Sequence, residues 1–447
     1  MKIDPYIFRA YDIRGIYPVQ INEDFAYNLG RAFASFNPGK IVIGRDCRIG
    51  GESLEKELIK GLVESGAEVI DIGIFPTPSI IFTIGHYGFD GGISITASHN
   101  PKEYQGFLLY NNKAVGIGRE NGLLKIKDLI NKQDFKKGAG FVQEKNILED
   151  YINFISSKIN LQKINKKVVI DCGNGTISSV IFKLLEKFGI EYYPLFCELN
   201  GDFPNRDPEP KNDNLKELQK KVISQKTDAG FAYDADGDRV VAVDEKGNIL
   251  NSTQFFGILI KSYLEEKKDK IVHDVLASSA IDDITKYYKG LSIGCRVGHV
   301  FIQKKLLESE AAVAGEISGH YFFREIFGAD DAAFATLKVL EYLENKKLKL
   351  SEAFKDIPNY HYDSVRIGIN VEKKDKFKFI EDLRNEFKEK YKMDCLDGLK
   401  IILKDSWALF RPSNTESKIS IAYEAKTKEE FKKIEEFVNK IIETIPQ

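Results

Sequence analysis

The stretch FAYDADGDRVVAVDEKG, residues 231–247, places Asp234, Asp236 and Asp238 on alternate positions at the end of an apolar run. Gly237 permits the tight bend that would turn them toward one point. Carboxylates converging in this way offer oxygen ligands alone, the donor set of Mg2+ or Ca2+. A solvated acidic turn would use the same letters. An EF-hand loop is a nearer imitation, since Glu245 falls at its twelfth position. It fails at the sixth, where Arg239 stands in place of glycine, and at RVVAV, which reads as a strand. An aspartyl-phosphate phosphatase would make Asp234 a nucleophile and draw distal acids from GADD, residues 328–331, but leaves Asp238 and Arg239 without a task.

Three further stretches carry chemistry. GGISITASHNP, residues 91–101, ends a mostly apolar strand in Thr96-Ala97-Ser98-His99-Asn100 before Pro101 stops it. Ser98 fits a turn residue or a nucleophile, and no Gly-x-Ser-x-Gly elbow surrounds it. VAGEISGHYFF, residues 313–323, alternates Glu316, Ser318 and His320, with Gly315 and Gly319 allowing backbone to approach a ligand closely. Small polar groups in that pattern suit the hydroxyls of a sugar, and a plain glycine-rich hairpin fits as well. In RPSNTES, residues 411–417, Arg411 offers a bidentate fork, and Ser413, Asn414 and Thr415 add donors for an oxyanion such as phosphate. A polar turn joining two strands is the alternative. FRAYDIRG, residues 8–15, sets Arg9 and Arg14 around Tyr11, where arginines are ordinarily solvated. His99, His299 and His320 each fit a structural role as well as a functional one; His86, His273 and His361 read as structural.

Elements that can position these groups alternate along the chain as short β-rich runs and helical-period segments, which is α/β grammar. KIVIGRD, the helix GESLEKELIKGLVESG and AEVIDIG form a strand–helix–strand unit; the pattern restarts at KKVVIDCGNG and again at DKIVHDVLASS. The expected fold is α/β: three tandem related α/β domains and a C-terminal α+β domain of strands mixed with two charged amphipathic helices. The expected divisions are 1–148 with the serine loop, 149–248 with the acidic loop, 249–356 with the Gly-Glu-x-Ser-Gly-His loop, and 357–447 with the arginine loop. GDFPNRDPEPKNDN, residues 201–214, is a long excursion inside the second unit.

The 447 residues exceed one hydrophobic core. The composition, 43% hydrophobic and 30% charged, is that of an ordinary globular protein, and the net charge of −2 supplies no field to recruit nucleic acid or anionic lipid. Five cysteines stand singly with no CxxC pair, which suits a reducing compartment. No run has signal-peptide or membrane-span character. A cytoplasmic protein with no nucleic-acid or membrane partner is expected.

In chain order, the serine loop, the acidic triad, the Gly-Glu-x-Ser-Gly-His loop and the Arg-x-Ser-Asn-Thr loop resemble the α-D-phosphohexomutase superfamily, and within it the phosphomannomutase/phosphoglucomutase branch. The resemblance runs from FRAYDIRG to RPSNTE, and TASHNP with DADGDR is its most specific pair. It implies four domains around a deep central cleft. Ser98 would carry a phosphoryl group, and Asp234, Asp236 and Asp238 would bind Mg2+, which also touches that phosphate on Ser98. The reaction implied moves phosphate between O1 and O6 of a hexose through a 1,6-bisphosphate, with glucose 1,6-bisphosphate as activator. His99, Arg14 and Arg239 would attend the transferring group. Arg411, Ser413, Asn414 and Thr415 would hold the other phosphate, and Glu316 and Ser318 would read the 3- and 4-hydroxyls. Tyr11, His299 and His320 would line the cleft. A monomer or homodimer acting on hexose phosphates is expected.

Two departures from the family pattern stand out. Leu108 occupies the place where the family commonly has a lysine acting as acid/base, and Leu276 the place where many relatives carry a basic residue. Lys113, Lys102, His99 and Arg14 are the candidates to handle the proton; otherwise the chain is a weakly active sugar-phosphate-binding relative. Asn414 and Ile317 favour the hexose branch over phosphoglucosamine mutase, which more often has Gly and Gln there. Ser417 in place of the frequent proline only relaxes the turn.

Overall fold

A computed structural model describes residues 4–369, 375–412 and 418–445. Three of its four sheets repeat one topology. In each, a first strand (Lys40–Arg45, Lys167–Asp171, Lys270–Asp274) is flanked on one side by a parallel second strand (Glu68–Ile74, Glu191–Leu195, Leu291–Cys295). On its other side lies a parallel third strand (Gly91–Ile95, Ala229–Tyr233, Val313–Gly315). A fourth strand (Tyr104–Asn111, Val240–Asp244, Tyr321–Phe323) turns back antiparallel onto the third. The first sheet gains edge strands at Ile13–Ile16 and Phe141–Glu144, and the third gains Ala329–Asp330.

Near-continuous apolar strands, buried on both faces, call for helices on both sides of a parallel sheet. Gly91–Ile95 and Ala229–Tyr233 are buried at every residue. Helices Gly51–Glu64, Ile181–Lys187 and Ser279–Tyr287 link first to second strands. Pro78–Tyr87, Lys216–Gln225 and His299–Ser309 link second to third. One apolar cluster runs through all three domains beside a separate cluster in each, and the helix Ala332–Lys346, buried along nearly its whole length, threads the shared one. No helix among the described residues is long and apolar enough to cross a membrane.

The C-terminal sheet differs. Its strands include His361–Gly368, Lys418–Ala425, Ser406–Pro412 and Leu399–Ile402, in that lateral order and all antiparallel. Helices Lys376–Phe387 and Lys428–Ile442 pack on one face, giving the expected α+β unit.

The repeated topology decides where chemistry can occur. The turn between third and fourth strands lies at the carboxyl end of the parallel strands, where α/β sheets bind ligands. In the first domain that turn holds Ser98, in the second Asp234–Asp238, and in the third Glu316–His320.

Candidate active site

The serine loop is held open by buried charge. Ser98 has φ of +49°, a left-handed conformation that costs an L-residue roughly 1–2 kcal/mol and persists only when its surroundings impose it. Arg48, fully buried, imposes it. Its Nη2 donates to the carbonyls of Ser98 and Asn100, both at 2.5 Å, and its Nη1 to those of Pro101 (2.8 Å) and Tyr104 (3.3 Å). Asp46 Oδ2 lies 3.2 Å from Arg48 Nε and accepts from Thr96 Oγ1 at 2.7 Å, while Thr96 Oγ1 accepts the Ser98 N–H at 2.7 Å. Arg14 closes the other side, donating to the Ala97 carbonyl (3.0 Å) and Asn100 Oδ1 (2.6 Å) with Asp12 2.8 Å from its Nε. The loop is therefore set before any ligand arrives.

Ser98 Oγ donates to Asp234 Oδ2 at 3.0 Å and lies 3.3 Å from His99 Nδ1. Asp234, Asp236 and Asp238 are each no more than 2% exposed, and their ligand oxygens all lie within 4.8 Å of one another. Thr77, the residue that precedes the helix Pro78–Tyr87, fixes Asp236: its Oγ1 donates to Asp236 Oδ2 at 2.7 Å and its N–H to the Asp236 carbonyl at 2.9 Å. The Arg239 N–H donates to Asp234 Oδ1 at 3.2 Å. Asp236 Oδ1 and Asp238 Oδ1 are buried without a hydrogen-bond partner. Burial, then repulsion from Asp236, pushes Asp234 up to about 7, and the same two causes drive Asp238 well above the usual carboxylate range. Three buried carboxylates, two of them with an orphaned oxygen, fit a hard divalent cation such as Mg2+. The EF-hand imitation ends at Glu245, which instead accepts from the N–H and hydroxyl of Ser351.

The 201–214 excursion is anchored beneath this triad. Buried Arg206 donates through Nε to Asp171 Oδ2 at 3.0 Å and through Nη2 to the Tyr233 carbonyl at 2.6 Å, pinning the excursion to two strand ends. It delivers Glu209, 3.6 Å from Arg239 Nη1, to the ligand cavity.

In the third domain, Arg239 Nε donates to His320 Nε2 at 2.9 Å, so a neutral His320 carries its proton on Nδ1, which faces Asp330 Oδ2 at 3.0 Å. Burial and then the Arg239 charge hold His320 well below the usual imidazole range, and the same causes keep His99 neutral. Glu316 Oε1 accepts the Gly298 N–H at 2.8 Å; burial, then Asp274, pushes Glu316 up to about 7. Ser318 Oγ lies 3.4 Å from Glu316 Oε2. Gly298, at φ of +131°, lets the Tyr11 ring approach where a Cβ would stand 2.6 Å from it, and that ring packs edge-on against His299 with centroids 4.9 Å apart. His299 Nε2 is buried without a partner, and burial pushes the ring down to about 4. Asp331 of GADD caps the helix that begins at Ala332 and accepts the Tyr151 hydroxyl, so it is structural.

All four domains meet at one cavity of about 480 Å³. Tyr11, Arg14 and His99 line it from the first, Asp238 and Arg239 from the second, His299, Glu316, Ser318 and His320 from the third, and Arg411 from the fourth. Ser98, Asp234 and Asp236 lie just behind that lining, joined to it through His99 and Arg239. Ser413, Asn414 and Thr415 lie outside the described residues. Leu108 also lines the cavity. Of the groups named to handle the proton, Lys113 lines a separate cavity and Lys102 pairs with Asp202 at 3.1 Å on the surface, leaving His99 and Arg14 in place. Leu276 belongs to an apolar cluster with Trp407 and Leu409.

Glu209, Arg366 and Ser420 line the cavity without having been singled out in the sequence, Arg9 of FRAYDIRG joins them, and Arg48 and Asp46 support the site. A signal existed for the last two: Asp46-Cys47-Arg48 directly follows the first strand Lys40–Arg45, at the carboxyl end where ligand sites form. Among the described residues, every cation in the lining is a guanidinium, from Arg9, Arg14, Arg239, Arg366 and Arg411.

Comparison with known proteins accounts for this arrangement. Models of phosphoglucomutase/phosphomannomutase alpha/beta/alpha domains I, II and III match residues 5–137, 149–247 and 251–360, and the C-terminal domain model of that family matches 369–441. The chain is 35% identical to the phosphomannomutase/phosphoglucomutase of Pseudomonas aeruginosa over 437 residues, 96% of this chain and 93% of that protein. It is 32% identical over 425 residues to a protein of Methanococcoides burtonii named as a probable phosphoglucosamine mutase, covering 94% and 95% of the two. A crystal structure of a phosphoglucomutase/phosphomannomutase family protein from Burkholderia thailandensis superposes with a TM-score of 0.90 at 28% identity, over 99% of this chain and 98% of that one. The chain belongs to the phosphoglucomutase/phosphomannomutase family of the α-D-phosphohexomutase superfamily, and its reaction is of the phosphohexomutase type.

Proposed function

We propose that this protein interconverts hexose 1-phosphate and hexose 6-phosphate, with Ser98 as phosphate carrier and a hexose 1,6-bisphosphate as intermediate. The observation that carries the reading is a serine hydroxyl 3.0 Å from Asp234 of a buried carboxylate triad, directly behind one cavity whose guanidiniums come from the first, second and fourth domains. A substrate with an anionic group at each end fits such a cavity. Asp234, Asp236 and Asp238, with a phosphoryl oxygen on Ser98, would hold Mg2+, which when bound neutralises charge on that phosphoryl group.

In the first half-reaction the P–Oγ bond of phosphoserine breaks as a bond forms from phosphorus to the substrate's free hydroxyl oxygen. Arg14 and Arg239 offset charge on the phosphoryl oxygens, which is most of what catalysis of this transfer requires. The hydroxyl proton leaves as its oxygen bonds phosphorus. His99, with Nδ1 3.3 Å from Ser98 Oγ, is in place to relay it to the departing serine oxygen, whereas Leu108 is not chemically able to. Arg411 holds the phosphate that does not react, and Glu316 and Ser318 bind sugar hydroxyls. The bisphosphate turns end for end, and its other phosphate returns to Ser98. Glucose 1,6-bisphosphate would then serve as activator by restoring phosphoserine. A cytoplasmic location follows from the sugar-phosphate substrate and the unpaired thiols.

A phosphoglucosamine substrate is the second reading, favoured by the Methanococcoides burtonii relative matching almost as much of the chain. Peptide mass spectrometry of the purified protein and turnover on glucose 1-phosphate, mannose 1-phosphate and glucosamine 1-phosphate test both. A phosphate on Ser98, turnover on the first two sugars and its loss in Ser98→Ala are expected. Full turnover in Ser98→Ala, or phosphate on Asp234, would overturn the mechanism; preference for the amino sugar would favour the second reading.

A further inference from the structure

The C-terminal sheet has two unlike faces. Ile367, Ala408, Phe410, Ile419 and Ile421 point into the core under its own helices. The opposite face carries Trp407, Leu409 and Ala422, packed with Val275, Leu276 and Val297 of the third domain. Strand alternation puts the next row of that face two residues further along. There Ser420 is in register with Arg411 on one neighbouring strand and with Arg366 on the other. All three side chains line the active-site cavity.

Adjacent strands lie ~4.8 Å apart, so the two arginine backbones stand about 10 Å apart with a hydroxyl between them. Both forks can reach over Ser420. Arg411 is oriented by Asp397, whose Oδ2 lies 2.9 Å from Arg411 Nε and accepts the Val297 N–H at 3.0 Å. Arg366 has no ion-pair partner among the described residues, and Leu276 adds no charge to the neighbouring wall. Two guanidiniums sharing one row repel each other unless an anion lies between them. A phosphate dianion has enough acceptor oxygens to take a bidentate contact from each.

We propose that Arg366 is a substrate-binding residue, the second guanidinium of the subsite that holds the non-reacting phosphate, acting with Arg411 across Ser420. This rests on the phosphohexomutase reading. A strand-borne cation on the first strand of the sheet lets this chain grip the dianion without a base at position 276.

The test uses Ser98→Ala as parent, which binds without turnover, and isothermal titration calorimetry with glucose 6-phosphate and with glucose 1-phosphate. Adding Arg366→Gln is expected to raise Kd for both by about tenfold or more, the scale of one charged hydrogen-bonded contact. Arg366→Lys should recover only part of the loss, because the charge returns without the fork. Arg384→Gln, an exposed arginine on the outer helix of the same domain, is the control and should change nothing. Binding within about twofold of the parent in Arg366→Gln, with Arg411→Gln strongly weakened, overturns the proposal and leaves the functional reading intact. A parent that binds neither hexose phosphate overturns the functional reading and this proposal with it. Arg366 is exposed on an edge strand, so its variants fold, and melting temperatures verify that.

Discussion

Arg48 is not part of the active-site cavity's lining, yet the site depends on it. Arg48→Met removes a guanidinium that donates to four carbonyls of the serine loop and leaves Asp46 buried with its charge unpaired. Breaking a buried pair by deleting one partner costs about 3–5 kcal/mol, most of it the stranded charge. For a domain of this size that is a fall in Tm of roughly 6–20 °C. The stranded charge also gives the control: Asp46→Asn combined with Arg48→Met should recover at least about 1 kcal/mol, because the double variant buries no lone ion. Activity should not recover. With the loop released, Ser98 relaxes from its left-handed conformation, and misplacement of a reacting atom by ~1 Å loses about 10²-fold in rate. Arg48→Lys separates the two effects, since it keeps a cation near Asp46 but cannot reach all four carbonyls. It should melt near the wild type and lose about tenfold or more in kcat, with KM little changed. Thermal melts and steady-state kinetics on the four proteins decide the matter. Wild-type kcat in Arg48→Lys, or a double variant no more stable than Arg48→Met, would refute the idea that this arginine sets the loop.

Other consequences are more direct. Mg2+ at about a hundred times its Kd should stabilise the protein by about 2.7 kcal/mol through mass action, seen as a rise in Tm that EDTA reverses. Asp236→Asn should remove most of that rise; an undiminished rise would place the cation elsewhere. A separate pair governs pH response. Asp282, held down to about 2 by His273 against the opposing effect of burial, lies 3.2 Å from His273 Nε2, and Asp282 in turn outweighs burial to raise His273 above its ordinary value. The depressed carboxylate contributes above its unfolded pKa and loses that contribution as pH falls through about 2; the raised imidazole contributes below its unfolded pKa and loses that contribution as pH rises through its folded value. The pair therefore stabilises most between about pH 4 and 6.5, modestly because Asp282 is half exposed. Asp282→Asn should flatten the decline in Tm between pH 6 and 9, and an unchanged decline would show that the pair contributes nothing.

Much of this protein is legible in its sequence, for local reasons. Alternating and continuous apolar runs dictate the strands, and the groups that carry the chemistry lie within a few residues of a strand end, so Asp234–Asp238, Ser98 and Glu316–His320 could be named from order alone. The repeated turn between third and fourth strands places all of them at carboxyl ends of parallel strands, a consequence of a topology written three times along the chain. Tertiary structure decided what spacing does not encode. Arg48 meets the carbonyls of Ser98 and Asn100 across about fifty residues, and Thr77 meets Asp236 across 159. Arg366 reads as an ordinary solvated residue on a strand until register sets it beside Ser420 and Arg411. The proton carrier is the same kind of question: sequence offered Lys102, Lys113, His99 and Arg14 alike, and only packing showed which of them share a cavity with Leu108. Sequence spacing fixes neighbours on one element, whereas the orientation of one element against another is a sum over the whole core.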